Sequence, residues 1–205
     1  MRLNCIHRGR GTSEGKWIYE PDSSITRAEV MKTMVKIMGI AYQDFDIKTE
    51  DTIFDGEIVF HDIDREHRSS WYTPYAFHKG ILAKLYAIDV SGDRYFSPDL
   101  AITRGEAIQM MIATYEKIYG TVSVPSDYVI PMEDVSSADL YYDAIQKAVY
   151  LGIIEGRTRN GKKYIDSTST ITRQEFAKIA YLPFQERFVI DIGQEVVAVS
   201  ATQYQ

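Results

Sequence analysis

The chain has 205 residues, 45% hydrophobic and 25% charged, ordinary proportions for a globular protein with room for a real core, so neither disorder nor a fibre is indicated. A formal net charge of −6 argues against general nucleic-acid binding, which rests on a basic face that neutralises phosphates. The single Cys5 excludes an internal disulfide framework and a multi-cysteine metal site, and no apolar run approaches the roughly 20 residues that span a bilayer.

In chain order, Met1–Ile6 lacks the apolar h-region of a secretory signal. Tyr19-Glu-Pro-Asp-Ser-Ser-Ile-Thr-Arg-Ala-Glu29 follows. Its Thr26 and Glu29 make a [ST]-x-x-E capping box, and the apolar stripe Val30, Met31, Met34, Val35, Met38 predicts a helix behind it. Gln43–Val59 reads as a linker. Phe60-His-Asp-Ile63 then precedes a predicted helix over Ser70–Lys79, which Gly80 suits as a left-handed stop. Phe96-Ser-Pro-Asp-Leu-Ala-Ile-Thr-Arg-Gly-Glu106 brings a second capping box and the stripe Ala107, Ile108, Met111, Ile112, Tyr115. After a second linker, Gly120–Pro131, the order recurs: Met132-Glu-Asp-Val135, a helix over Ala138–Leu151, Gly152 as its stop, and Ile165-Asp-Ser-Thr-Ser-Thr-Ile-Thr-Arg-Gln-Glu175 leading into Phe176, Ala177, Ile179 and Ala180. Phe188-Val-Ile-Asp-Ile and Glu195-Val-Val-Ala-Val read as short strands with no partner in view.

Self-similarity is the main signal. In all three copies an apolar residue stands six positions before an Ile that runs straight into Thr-Arg-x-Glu. Asp62 to Gly80 and Asp134 to Gly152 have the same spacing. The repeated unit reads as helix, loop, helix, and the fold class is mainly α with a short β-like tail. The expected organisation is a truncated first repeat at 1–42, a linker at 43–59, the second repeat at 60–119, a linker at 120–131, the third repeat at 132–184 and a tail at 185–205. A half-repeat at one end and strands without partners at the other lead us to expect a piece of a longer protein.

Phe60-x-Asp-Ile63, Trp71-Tyr-Thr-Pro-Tyr75, Gly80-Ile-Leu82, Phe96-x-Pro98 and Ile102-Thr-Arg-Gly-Glu106 resemble the S-layer homology domain. The third repeat carries Asp134-Val135, Gly152-Ile-Ile-Glu-Gly156 and Ile171-Thr-Arg-Gln-Glu175, and the first only Tyr19-Glu-Pro21 and Ile25-Thr-Arg-Ala-Glu29. The chain departs from the pattern at Ala83-Lys84, at Asp166-Ser167 and at Leu140 or Tyr141, where a Trp is usual. The resemblance implies a pseudo-threefold helical bundle whose inter-repeat grooves, unequal here, hold a secondary cell-wall polymer. That polymer is often pyruvylated and acidic, which places such a protein at the bacterial cell surface.

Arg27, Arg104 and Arg173 are the first site candidates. Each stands at the first position of a helix, where the macrodipole disfavours a cation by about 0.3–1 kcal/mol, so three such placements call for an anion. Free N–H groups at a helix start attract anions, and a guanidinium adds a fork that holds a carboxylate bidentately. A pyruvyl carboxylate fits; an inter-repeat salt bridge to Asp62 or Asp134 is the competing reading. Arg8, Arg10, Lys16, Lys84, Arg94, Arg157, Arg159, Lys162 and Lys163 crowd the preceding loops, either favouring an anionic ligand or serving as solvated charge. Trp71, Tyr72 and Tyr75 could face a sugar ring or pack their own helix. Asp62 and Asp134 accept sugar hydroxyls or cap the helix that follows. With the resemblance, Asp62, Asp134, Trp71, Gly80 and Gly152 complete the expected ligand set.

No G-x-S-x-G, P-loop or H-E-x-x-H is present, and His7, His61, His67 and His78 show no helical metal spacing. Asp89-Val-Ser-Gly-Asp93 starts like a calcium loop but has Arg94 and Leu100 where Gly and Glu belong. The reading is a non-catalytic wall anchor without cofactor or metal, its partner an acidic wall polysaccharide. The alternatives are a protein–protein scaffold on the same bundle or, behind it, a glycan-degrading enzyme.

Overall fold

The computed structural model describes residues 12–13, 16–42, 59–83, 85–187, 189–191 and 196–198. Cys5, His7, Arg8 and Arg10, the linker up to residue 58, and Lys84 lie outside them. Three helices begin at the predicted arginines: α1 (Arg27–Tyr42), α3 (Arg104–Tyr119) and α5 (Arg173–Tyr181). In each, the Thr backbone N–H donates to the Glu carboxylate, at 2.9, 3.0 and 3.1 Å. The Glu N–H donates back to the Thr hydroxyl at 3.3 Å. All three capping boxes are therefore complete.

The two intervening helices start later than the pattern suggested. α2 (Thr73–His78) has Pro74 in its first turn, and α4 (Tyr142–Tyr150) follows a turn in which the Asp139 carboxylate takes the Ser136 N–H at 2.6 Å. Both end as expected. Gly80 and Gly152 have φ of 73° and 69°, and Ile81 N–H to Ala76 C=O at 2.9 Å matches Ile153 N–H to Ala148 C=O at 3.0 Å. These are two copies of one Schellman stop.

The loops ahead of α1, α3 and α5 are hairpins, which the sequence reading missed: β1 (Thr12–Ser13) with β2 (Lys16–Trp17), β3 (Ala87–Ile88) with β4 (Arg94–Tyr95), and β5 (Arg157–Arg159) with β6 (Lys162–Tyr164). In the third, Asn160 and Gly161 both take positive φ, 51° and 77°, the pair a tight hairpin turn demands. The Asp89 carboxylate, in the stretch that only starts like a calcium loop, takes the N–H groups of Ser91 and Asp93 at 2.8 and 2.9 Å in its own turn. The tail also corrects the reading. β7 (Val189–Asp191) and β8 (Val196–Ala198) pair antiparallel with each other, so each is the other's missing partner.

The units close on one another in cyclic order. Ile25 N–H donates to Ile171 C=O at 3.3 Å, Ile102 to Ile25 at 3.0 Å, and Ile171 to Ile102 at 3.2 Å. The three isoleucines are fully buried. Around this ring each helix start is fed by the next unit. Arg27, Arg104 and Arg173 N–H donate to the carbonyls of Leu100, Ser169 and Ser23 at 3.0, 2.8 and 2.9 Å. Ala28, Gly105 and Gln174 donate to those of Pro98, Ser167 and Pro21 at 2.9, 2.8 and 3.0 Å. Those carbonyls lie on loops in which Glu20, Ser97 and Asp166 share one left-handed conformation, with φ of 52°, 56° and 56°. Such a φ is unfavourable for a residue with a Cβ, and it recurs at one position of every unit. Outside the ring the Met and Ile stripes of α1 and α3 meet Phe60, Phe96, Phe176 and Phe184 in one buried core.

Ala28, Gly105 and Gln174 occupy equivalent positions, but a Cβ on Gly105 would lie 2.8 Å from Tyr141 Cε2 and 3.0 Å from the Ser167 carbonyl. Overpacking there is expected to cost about 1–3 kcal/mol. Urea unfolding of Gly105→Ala should show that loss, and Gln174→Ala, on an exposed side chain, should cost far less.

Candidate functional site

The three arginines are drawn inward. Arg27, Arg104 and Arg173 are 8%, 6% and 1% exposed, and each faces the capping glutamate of the next unit. Arg27 Nη2 stands 3.8 Å from Glu106 Oε1, Arg104 Nη1 3.8 Å from Glu175 Oε1, and Arg173 Nη1 2.9 Å from Glu29 Oε1. The anion that offsets the helix dipole is thus a protein carboxylate. The partner is the capping glutamate rather than Asp62 or Asp134. The free helix-start N–H groups invoked for a ligand are also spent, on the neighbouring unit's carbonyls and the cap hydroxyls.

The three joints are not alike. At the Arg173 joint, Nε donates to the Tyr19 carbonyl at 3.0 Å, and the Tyr19 ring covers the guanidinium at 5.2 Å. At the Arg27 joint, Nη2 donates to the Leu85 carbonyl and the Phe96 ring lies 4.9 Å away. Nε of Arg27 and Nε of Arg104 have no hydrogen-bond partner among the described residues, although a buried donor left unmet costs about 1–3 kcal/mol. Burial pushes the Arg104 guanidinium below its ordinary range, against the pull of Glu175. Tyr141 rests over Gly105, and burial together with Glu106 pushes its phenol up.

Asp62 and Asp134 play one part twice. Asp62 takes the N–H groups of Phe96 and Ser97 at 3.0 and 2.6 Å, and Asp134 those of Ile165 and Asp166 at 2.8 and 2.7 Å. They clamp the loop that feeds the ring and do not cap the helix that follows them. Trp71 is 65% exposed, which leaves its face open. Tyr72 is half-buried beneath Lys32, and Tyr75 is buried. Gly80 and Gly152 serve the helix stops. Arg94 lies over Phe77 at 5.0 Å, and Lys162 pairs with Glu133 at 3.1 Å.

Sequence reasoning named Arg157 and Arg159 among the loop cations but did not anticipate the cluster they form beside Arg104. Arg157 reaches Glu175 Oε1 through Nη2 at 2.5 Å and Nε at 3.2 Å, and Asp166 Oδ2 through Nη1 at 3.0 Å. Arg159 holds both oxygens of Asp166 at 3.0 and 2.6 Å. The available signal was Asp166 itself, a carboxylate where the second unit has Ser97. Burial alone would raise the acids' pKa values. For Glu175 the hydrogen bond from Arg157 and the Thr172 N–H outweigh it, and for Asp166 the bonds from Arg159 and Arg157 do, so both carboxyls are held below their ordinary values.

Lowered folded-state values give stability that is present above the unfolded carboxyl pKa, near about 4, and lost as pH falls through the lowered values. The urea midpoint should therefore drop steeply below about pH 4. In Arg157→Gln it should start lower and fall less between pH 5 and pH 2.5, as a pH series of urea melts would show.

Three copies of a helix-capping unit, closed in a ring and tied by buried Arg–Glu pairs, define a repeat-built module. Residues 80–108 and 131–177 match the S-layer homology domain, and over those segments the chain carries S-layer homology sequence. Domains of this family are non-catalytic modules associated with cell-wall anchoring. An endoglucanase of Bacillus sp. (strain KSM-635) is 25% identical over 163 residues, a stretch covering 78% of this chain and 15% of that protein. The chain thus matches only a small part of that relative's length. No helix among the described residues is long and apolar enough to cross a membrane.

Proposed function

We propose that this chain is a cell-surface anchoring module whose inter-repeat grooves bind an acidic, pyruvylated wall polysaccharide without covalent attachment. In this reading the repeats are residues 1–42, 60–119 and 132–184, and the isoleucine ring is the axis of a pseudo-threefold bundle of the S-layer homology type. The observation that carries it is the unmet guanidinium donor at two joints: Arg27 and Arg104 keep a buried Nε without a partner among the described residues. A positive group held in low dielectric and short of acceptors favours an incoming carboxylate. The exposed Trp71 supports the same reading, since an open indole face suits a sugar ring.

One observation favours a second reading. All three arginines are buried against glutamates of the neighbouring unit, a purely structural use that a protein–protein scaffold on the same bundle would share.

Titration calorimetry of the chain with purified wall polysaccharide, intact and stripped of its acidic substituents, separates the two. Anchoring predicts binding to the intact polymer only, weakening as salt rises because exposed charge is screened within about 8–10 Å at physiological ionic strength. A scaffold would ignore both polymers.

A further inference from the structure

Among the described residues, the joint between the second and third units differs from the others in charge. Arg104, Arg157 and Arg159 stand there against Glu175 and Asp166, three guanidiniums to two carboxylates. Among the described residues, each of the other joints sets one arginine against one glutamate, Arg27 with Glu106 and Arg173 with Glu29. The surplus charge is also within reach of solvent, because the side chains of Arg157 and Arg159 are 32% and 55% exposed. A guanidinium carries five N–H donors. Arg157 directs three nitrogens at protein carboxylates and Arg159 two, so N–H donors remain on both. Asp166 draws donors of both forks to itself and so competes with an external carboxylate for them. Arg104, with its unpartnered Nε, lies beneath. The neighbouring joints are less receptive: Arg173 is engaged by Tyr19 and Glu29, and Arg27 by Leu85, Glu106 and the Phe96 ring.

We infer that this joint is the principal ligand site of the chain, with Arg157 and Arg159 contacting the carboxylate of the acidic glycan. This rests on the anchoring reading and adds which groove and which side chains carry it. Asp166 acts as a competing internal anion.

The test uses the whole chain and a methyl glycoside that carries a pyruvyl ketal, with the unpyruvylated glycoside as control. Arg157→Gln/Arg159→Gln should weaken binding about tenfold or more for each lost charged contact, whereas Arg94→Gln, on the exposed hairpin of the second unit, should leave it unchanged. Asp166→Asn should tighten binding several-fold by releasing both arginines; Asn tolerates the left-handed φ of that position. A gain of this kind cannot come from unfolding, which covers the case of a destabilised double variant. Loss in the double variant together with gain in Asp166→Asn supports the site. If the parent binds and either effect is missing, the inference fails and anchoring stands. If the parent ignores the pyruvylated probe, both fall.

Discussion

Every unit in this protein depends on carbonyls it does not own. A helix leaves its first N–H groups without internal partners, and here a cap hydroxyl meets one while the adjacent unit's loop meets two. Arg27, Arg104 and Arg173 follow from the same constraint. The loop whose carbonyls accept these bonds brings the neighbouring capping glutamate with it, and that carboxylate makes a cation at the first helical position tolerable. Ring, cap and ion pair are three faces of one contact.

Much of this was legible in the sequence because it is local. The Thr-x-x-Glu boxes, the glycine stops at Gly80 and Gly152, and the buried stripes of α1, α3 and α5 all depend on residues within about one or two turns of each other. What escaped is long-range. Arg173 and Glu29 are 144 residues apart, and nothing in their spacing says that the demand for an anion is met from inside the protein. Asp62 and Asp134 were noticed through their repetition, but their targets lie 34 and 31 residues downstream. The hairpins escaped for another reason. With two or three residues per strand, alternation has no length over which to declare itself, and the turn signals Ser91-Gly92 and Asn160-Gly161 stood without it.

The same scaffold leaves room for the joints to differ. The ring fixes the backbone of each loop, including the left-handed residue at 20, 97 and 166, while its side chain remains variable. Placing Asp at 166 recruits Arg157 and Arg159 from the adjacent hairpin and turns a neutral joint into a cationic one. Tyr19 does the opposite at its own joint, covering Arg173 with a ring and a carbonyl. Divergence among repeats thus acts on charge and access while the hydrogen-bonded frame stays constant.

Closure has a mechanical corollary. In an open array of repeats each unit touches only its neighbours, and an end unit can fray while the rest persists. A closed ring has no end unit. Releasing any one of the three exposes donors on one neighbour and carbonyls on another at once, so partial melting gains little entropy for two broken joints. The described units are therefore expected to yield together, and the last joint to form, between residues some 150 positions apart, sets a high contact order for a mainly helical chain.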